Sequence, residues 1–473
     1  MNHPIDRWIQ LETRRQMFGT SAKGLGAVAL ASLLKDVAPA AQPGVLGSGH
    51  FPARAKRVIW LFMAGAPSQL DTFDYKPQMR EWFDKELPES IRKGQRLTTM
   101  TASQARFPIA PSKFKFPQQG QSGKPVSELF PHVGSMADEL AFVHTVWTEA
   151  INHDPAHTFM NTGTTISGRP SMGAWTLYGL GSETDNLPGF VVLSSVGRAG
   201  QAQPIAARQW HSGFLPSRFQ GVEFRSAGDP VLYVGNPKGV TAGRQRDIVS
   251  AVQQLNKLHN NVVDDPEIKT RISQYEMAFR MQTSVPGLVD ISDEKPETLE
   301  LYGTKGADGS YAANCLLARR LAERGVRFIQ VYHRAWDHHG GIKNNVKTTA
   351  GEVDKATAAL IKDLKDRGLL DDTLVVFGGE FGRTPMAQGN GRDHHIKGYS
   401  MFLAGGGIKG GTSYGNTDDL GYNAQDNIFE VHDFHATLLY LLGVDHKKLT
   451  VKFQGRDFRL TDVHGNVVKD LLA

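Results

Sequence analysis

Six short runs rich in apolar residues recur along the chain, and each is followed by glycine, proline or polar residues. The clearest run is Arg57-Val-Ile-Trp-Leu-Phe-Met63, which continues into Ala-Gly-Ala-Pro67. A nearly continuous apolar run of this length is typical of a strand that is buried on both faces of a parallel sheet. The other five predicted strands span residues 140–145, 189–193, 326–332, 373–377 and 399–403.

Between these strands, apolar residues recur with helical spacing. Helices are predicted at residues 245–260, 265–282, 311–324, 350–367 and 433–442. Alternating strands and helices predict an α/β fold with a mostly parallel central sheet sandwiched by helices. Two stretches interrupt the alternation, at about 75–130 and about 196–310, and we interpret them as irregular insertions. Residues 57–473 are therefore predicted to form a single domain that carries both insertions.

The first 40 residues have a different pattern. Arg14 and Arg15 precede an apolar stretch of eleven residues, Gly24–Leu34, which is too short to span about 30 Å of hydrocarbon as a helix. Paired arginines before a weakly hydrophobic stretch are typical of a twin-arginine signal peptide. We predict this signal at residues 1–40 and a linker at residues 41–56. The predicted location is periplasmic or secreted, with the twin-arginine export machinery as a partner and no stable membrane span.

Composition narrows the class of protein. The chain has 473 residues, a net charge of +5 and 21% charged residues, which is ordinary for a soluble globular protein. It lacks a run of Lys and Arg with interleaved aromatic residues, so nucleic acid is not expected as a partner. The single cysteine, Cys315, excludes a disulfide framework and a cysteine-rich zinc site. It lies in a helical pattern and is predicted to be a buried thiol.

Aspartate, glutamate and histidine concentrate directly after four of the predicted strands. In open parallel sheets, ligands bind beyond the carboxyl ends of the strands, so we expect these side chains to share one pocket. A mixture of carboxylate and imidazole groups suits a divalent metal ion, here Zn, Mn, Ca or Mg. The predicted metal ligands are Asp71, Asp337, His339, Glu380, Asp393 and His394.

Several of these segments resemble the domain-of-unknown-function 1501 family, whose members are exported bacterial proteins related to the alkaline phosphatase and sulfatase superfamily. The resemblance covers about residues 57–460 and is carried by five segments: 60–74, 336–339, 379–385, 391–394 and 403–411. It implies an alkaline phosphatase/sulfatase-like core and hydrolysis of phosphate or sulfate esters, with a small molecule or a glycan as the substrate.

The resemblance also implies roles for individual residues. Residues 373–382 are similar to the superfamily strand that ends in Asp-His-Gly, with Glu380 in place of Asp and Phe381 in place of His. Residues 153–163 resemble the sulfatase stretch that carries the nucleophile, and His153 stands at the nucleophile position. On this basis the expected catalytic residues are His153, His157 and Arg383.

The roles of several of these residues stay open. His153 and His157 are equally candidates for metal ligands, and Thr158 is a further candidate hydroxyl. Either Arg383 or Arg392 is expected to bind the anionic group of the ester, because a guanidinium group matches its geometry.

Three functions remain open from the sequence. The first is a metal-dependent hydrolase of phosphate or sulfate esters. The second is a non-catalytic scaffold that binds a metal or another ligand and keeps the fold without the nucleophile. The third is an unrelated metal enzyme such as an oxidoreductase. Metal content, and whether His153 faces the metal, distinguishes the enzyme from the empty scaffold.

Overall fold

The computed structural model describes residues 42–95, 97–98, 100–231 and 284–473, together with seven single positions between residues 241 and 281. The predicted signal peptide at residues 1–40 lies outside the described residues. The predicted helices at 245–260 and 265–282 also lie outside them, apart from four of those single positions.

A sheet of nine strands lies at the centre of the described chain. The named strands are β1 (Arg57–Met63), β2 (Leu140–Trp147), β3 (Phe190–Val196), β4 (Val222–Phe224), β5 (Phe328–Arg334), β6 (Thr373–Gly378), β7 (Gly382–Gln388), β8 (Gly391–His395), β9 (Tyr399–Ala404), β10 (Thr412–Tyr414) and β11 (Phe429–Glu430). The order of strands in the central sheet is β10-β2-β9-β6-β1-β5-β3-β4, and β11 also pairs with β2. Strands β7 and β8 lie outside this sheet and pair with each other as a hairpin.

The predicted α/β class with a mostly parallel sheet is confirmed. Strands β6, β1, β5, β3 and β4 run parallel to one another. Strand β9 differs, because it runs antiparallel to both of its neighbours, β6 and β2. Residues 399–404 are nearly all buried. The apolar sequence of a strand that is buried on both faces does not show whether the strand is parallel or antiparallel to its neighbours.

Helices cover both faces of the sheet. In the described part of the chain they are α1 (Gln69–Thr72), α2 (Glu89–Arg92), α3 (Pro131–Ser135), α4 (His153–Thr162), α5 (Met172–Leu180), α6 (Pro296–Tyr302), α7 (Tyr311–Glu323), α8 (Ile342–Asp366) and α9 (Val431–Leu441). Short 3-10 turns lie at Pro77–Arg80, Ala137–Glu139, Ala207–Trp210, Ser217–Phe219, Leu370–Asp372 and Lys469–Leu471. None of the described helices is long and apolar enough to cross a bilayer.

Three pairs of very short strands lie outside the central sheet. They are Gln42–Pro43 with Gly181–Ser182, Gln118–Gln119 with Lys124–Pro125, and Val451–Phe453 with Arg456–Phe458. Between residues 75 and 130, the described chain contains only such short strands, short helices and 3-10 turns.

Alternate side chains of the long strands in the central sheet enter two separate apolar cores. On β1, Ile59, Leu61 and Met63 belong to one core, which includes the buried faces of α7 and α8. Trp60 and Phe62 belong to the other core, which includes α4, α5 and α9. This two-sided burial explains the continuous apolar runs in the sequence. It also leaves the strand ends as the places where polar side chains gather.

Candidate metal centre

The loops after β1, β5 and β6 meet at one edge of the sheet, where α4 and the β7–β8 hairpin join them. The close approach depends on Gly65, which follows β1 and has φ of 115°. A Cβ atom at this position would lie 2.5 Å from the backbone nitrogen of Asp337. Only glycine combines this conformation with this contact, so the loops after β1 and β5 pack directly against each other.

Three imidazole nitrogens converge on the carboxylate of Asp337. His339 Nε2 lies 2.9 Å from Asp337 Oδ1, and His394 Nε2 lies 3.6 Å from the same oxygen. His153 Nε2 lies 3.4 Å from Asp337 Oδ2. The Nε2 atoms of His339 and His394 are only 3.0 Å apart. We call these four residues the histidine–aspartate cluster, and their ligand atoms lie within 4.8 Å of one another.

The other ring nitrogen, Nδ1, has a hydrogen-bond partner in each of the three histidines. Each Nδ1–H donates to an oxygen outside the cluster: Glu380 Oε1 for His153 (2.6 Å), Gln388 Oε1 for His339 (2.5 Å) and Ile151 O for His394 (2.7 Å). Since an oxygen of this kind only accepts, each Nδ1 is protonated, and Nε2 is the nitrogen that each ring can offer to a metal ion. Histidines that bind metals almost always have such a partner on the second nitrogen.

These residues fit a metal ion. The Nε2 atoms of His339 and His394 are 3.0 Å apart, a separation that either a shared proton or a metal ion can bridge, and His153 Nε2 is buried without a hydrogen-bond partner. Ligand atoms around a tetrahedral zinc ion lie about 3.3 Å apart, close to the separations within the cluster. Burial lowers the pKa of His394 to about 4, so this ring is neutral at neutral pH, as a metal ligand must be.

Two polar side chains orient Asp337. Arg383 Nη2 donates to Oδ1 at 2.7 Å and Gln203 Nε2 donates to Oδ2 at 2.6 Å. Burial alone would raise the pKa of Asp337, but its contacts with the three histidines and the charge of Arg383 hold it far below its usual range. The carboxylate is therefore ionised. Gln203 and Gln388 were not among the predicted site residues, because an isolated glutamine carries no sequence signal.

Glu380 follows β6 and lies beside the cluster, in a second group that could hold a metal ion and that consists of Glu380, His157 and the shared His153. Its Oε1 accepts a hydrogen bond from Gly65 N–H at 3.0 Å and contacts His153 Nδ1 at 2.6 Å and His157 Nε2 at 3.1 Å. The two histidines lie one turn apart on α4, so both reach the same oxygen. Burial opposes ionisation, but the charge of His157 and the hydrogen bonds of both histidines lower the pKa of Glu380 well below its usual range.

Asp71, a predicted ligand, lies outside the cluster. Its Oδ2 accepts hydrogen bonds from Ser68 Oγ at 2.6 Å and Arg392 Nε at 2.7 Å, and its Oδ1 accepts one from Ser112 Oγ at 2.8 Å. The pair of Asp71 and Arg392 is buried. Arg392 also donates to the carbonyls of Thr384 and Pro385. This arrangement leaves neither side chain for a metal or an anionic group.

Asp393 is also tied elsewhere. Its Oδ2 accepts hydrogen bonds from the hydroxyls of Thr98 and Thr101. The same residues line a cavity of about 230 Å³ beside His394, together with Lys397 and Tyr422. Asp393 therefore connects the segment around Thr98 to the β7–β8 hairpin, and does not point to the cluster.

Three other candidate residues are held in hydrogen bonds or in the apolar core. Arg383 is fully buried, and besides Asp337 its guanidinium donates to the carbonyls of Gly65, Ala66 and Arg392, so it holds Asp337 instead of presenting itself to an anion. The hydroxyl of Thr158 donates to Asp154 O within α4. Cys315 is buried in the core and burial raises its pKa to about 12, as expected for a structural thiol.

Fold and site together define an α/β protein with a buried histidine–carboxylate centre at the carboxyl edge of its sheet. The family model described as protein of unknown function (DUF1501) matches residues 55–472. The chain therefore belongs to this family, and the resemblance drawn from the sequence is confirmed. No curated protein matches the chain.

Several solved structures are similar to the chain. They include the PsFucS1 sulfatase from Pseudoalteromonas (12% identity, TM-score 0.38, covering 89% of this chain and 72% of that chain). The lipoteichoic acid synthase LtaP from Listeria monocytogenes has 12% identity and a TM-score of 0.37, with coverage of 84% and 74%. A protein of the alkaline phosphatase superfamily from Vibrio parahaemolyticus has 11% identity and a TM-score of 0.36, with coverage of 86% and 70%. Likeness at this level assigns no activity to this chain.

Proposed function

We propose that the chain is a metal-dependent hydrolase of phosphate or sulfate esters. Its metal ion would be held by Nε2 of His153, His339 and His394 and by the carboxylate of Asp337. One observation supports this most strongly: three rings donate Nδ1–H outward and gather their Nε2 atoms at one carboxylate. The class of ester rests on the sequence resemblance of residues 57–460 to the alkaline phosphatase and sulfatase superfamily.

The donor set favours zinc among the four ions considered. Imidazole nitrogen suits zinc, whereas magnesium and calcium prefer oxygen ligands, and manganese is intermediate. Three imidazoles and one carboxylate are ligands that zinc accepts, and an added water molecule or ester oxygen would be a fifth ligand, a number that catalytic zinc sites can reach. We therefore propose one zinc ion in the histidine–aspartate cluster, with Asp71 and Asp393 outside its ligand set.

The surrounding residues would orient both the ion and the ester. When bound, the ion supplies Lewis acidity, which polarises an ester oxygen and acidifies a water molecule. The side chains of His153 and His339 are 10% and 16% exposed, so an ester can approach from their side. Phe381 packs on His153 and His394, with ring centroids 4.9 and 4.6 Å apart, and keeps this flank dry.

Water is the proposed nucleophile. The hydroxyl of Thr158 is used within α4, and the thiol of Cys315 lies in the core. His153 has one nitrogen on Glu380 and the other facing Asp337, which supports the role of a ligand instead of a phosphohistidine. The cavity beside His394 would take the organic part of a small-molecule or glycan ester, and Lys397 is the cation among its described lining residues.

Chelation and refilling test this function. The mature chain would be stripped of metal, reloaded with zinc, manganese, magnesium or calcium, and assayed on a panel of phosphate and sulfate esters. We expect hydrolysis to disappear on chelation and to return best with zinc. His394→Asn should abolish turnover, whereas His446→Asn should not, because the ring of His446 contacts Thr461 Oγ1 and lies outside both the cluster and the cavity.

A non-catalytic metal-binding protein is the second candidate. The surroundings of two candidate nucleophiles favour it, because the hydroxyl of Thr158 is used within α4 and the thiol of Cys315 lies in the core. Stoichiometric zinc together with no turnover on any ester of the panel would support this alternative over the hydrolase.

Export by the twin-arginine pathway is also proposed, on the basis of Arg14 and Arg15 before an apolar stretch. Residues 1–50 fused to a folded reporter should carry it to the periplasm. Replacement of both arginines by lysine should retain the reporter in the cytoplasm, because that pathway reads the arginine pair. Export of the double variant at the wild-type level would contradict the proposal.

A further inference from the structure

Glu380 was expected from the sequence to be a metal ligand, but its position suggests a different task. It is fully buried, and its Oε1 is fixed by the backbone N–H of Gly65 on one side and by two histidines on the other. The oxygen lies 2.6 Å from His153 Nδ1. The strand end, the neighbouring glycine loop and helix α4 thus hold this carboxylate in place.

His153 separates Glu380 from the cluster. Its Nδ1 faces Glu380 and its Nε2 faces Asp337. The Nδ1–H bond and the Nε2 atom of the ring point in strongly divergent directions. An ion bound to Nε2 between His153 and Asp337 is therefore out of reach of the oxygen that accepts the proton of Nδ1.

We propose that Glu380 is a positioning residue, which keeps the proton of His153 on Nδ1 and turns Nε2 toward the metal ion. This inference rests on the proposed metal site. A carboxylate can only accept, so it fixes one tautomer and one orientation of the ring. It also makes the imidazole a stronger donor to the ion, as outer carboxylates do in histidine metal sites. His157 supports Glu380 by binding the same oxygen from the next turn of α4.

The test compares Glu380→Gln with a matched control, Glu352→Gln. Glu352 is likewise a carboxylate beside a histidine, since its Oε2 lies 3.4 Å from His333 Nε2, but it lies outside the histidine–aspartate cluster. Zinc affinity would be measured on the full mature chain by competition with a chelator, and the cobalt-substituted proteins would be compared by visible spectroscopy. Urea unfolding of the metal-free proteins would show whether each variant folds.

We expect Glu380→Gln to bind one zinc ion about 10- to 100-fold more weakly than wild type. Its cobalt spectrum should shift in wavelength but keep the intensity of a four-coordinate site. Glu352→Gln should match wild type in both readouts. Unchanged affinity in Glu380→Gln would overturn the positioning role while leaving the proposed function intact. Complete loss of one bound ion would show that Glu380 is a direct ligand, and would also overturn it.

A measurement on the wild type covers the case in which Glu380→Gln does not fold. In zinc-loaded protein with 15N-labelled histidine, we expect a protonated Nδ1 and a metal-bound Nε2 for His153. A metal-bound Nδ1 would overturn the inference. A wild-type protein that binds no zinc at all would contradict both the inference and the proposed function.

Discussion

Two buried polar regions at the same edge of the sheet have opposite characters. Around Asp71, each carboxylate oxygen has hydrogen-bond donors, and Arg392 neutralises the charge. Around Asp337, the Nε2 atoms of three imidazoles face one carboxylate, and two of them lie 3.0 Å apart. The first region is complete without a ligand, whereas the second gathers four groups that can bind a cation. A strand-end aspartate is therefore a candidate metal ligand only when its protein neighbours leave a carboxylate oxygen available to the metal ion.

The largest effect is expected where the cluster loses its carboxylate. Asp337→Asn removes a ligand and the charge that pairs with Arg383, so we expect zinc affinity to fall by more than about 100-fold. Breaking the buried pair should also cost about 3–5 kcal/mol of stability. Metal analysis and urea unfolding measure the two effects. Asp393→Asn is the matched control and should bind zinc like wild type. An equal loss of zinc affinity in both variants would contradict the separate roles that we assign to Asp337 and Asp393.

The complementary change removes the negative charge of the region around Asp71. Asp71→Asn leaves Arg392 buried without a counterion, so we expect the free energy of unfolding to fall by about 3–5 kcal/mol. Zinc affinity should stay at the wild-type level in the folded fraction. Urea unfolding of the metal-free protein gives the first quantity and chelator competition the second. A variant of full stability that has lost its zinc would reverse our assignment of the two regions.

The pH dependence of stability sharpens the same comparison. Burial alone would raise the pKa of Asp71, but Arg392 and the hydroxyls of Ser68 and Ser112 lower it overall. Because the folded pKa lies below that of the unfolded chain, the stabilisation is complete above the ordinary aspartate pKa of about 3.9 and is lost as the pH falls through the lower folded value.

We therefore expect the stability difference between wild type and Asp71→Asn to be constant from about pH 7 to pH 5. Below about pH 4 it should shrink by at most about 1.4 kcal/mol per pH unit. Urea unfolding of both metal-free proteins across this range measures it. A difference that grew in acid would mean that the folded pKa is raised.

The smallest effect concerns the hydroxyls that hold Asp393. Thr101→Val removes the 2.6 Å hydrogen bond to Asp393 Oδ2, and Thr98 remains as a donor. We expect a loss of about 1 kcal/mol in the free energy of unfolding and no change in zinc affinity. If zinc affinity changed instead, Asp393 would have to act on the metal ion after all.

Most of the fold could be predicted because both faces of the sheet are covered. The apolar runs at residues 57–63 and 373–377 became β1 and β6 with nearly the predicted bounds. The direction of β9 was not predictable, because it depends on which strands it joins. Helix α8 begins at Ile342 rather than at residue 350, since the buried face continues through Val346 and Thr349.

The site was predictable in part for a similar reason. The rule that ligands gather beyond parallel strand ends brought Asp337, His339, Glu380 and His394 together with His153. The rule does not show which side chains find partners first. Asp71 pairs with a residue 321 positions away, and sequence spacing gives no sign of such a contact.

Anomalous diffraction at the zinc edge from zinc-loaded crystals tests the central claim most directly. We expect one peak within bonding distance of Nε2 of His153, His339 and His394 and of a carboxylate oxygen of Asp337. No peak in this cluster at full zinc occupancy elsewhere, or a peak at Asp71 or Asp393, would contradict the account.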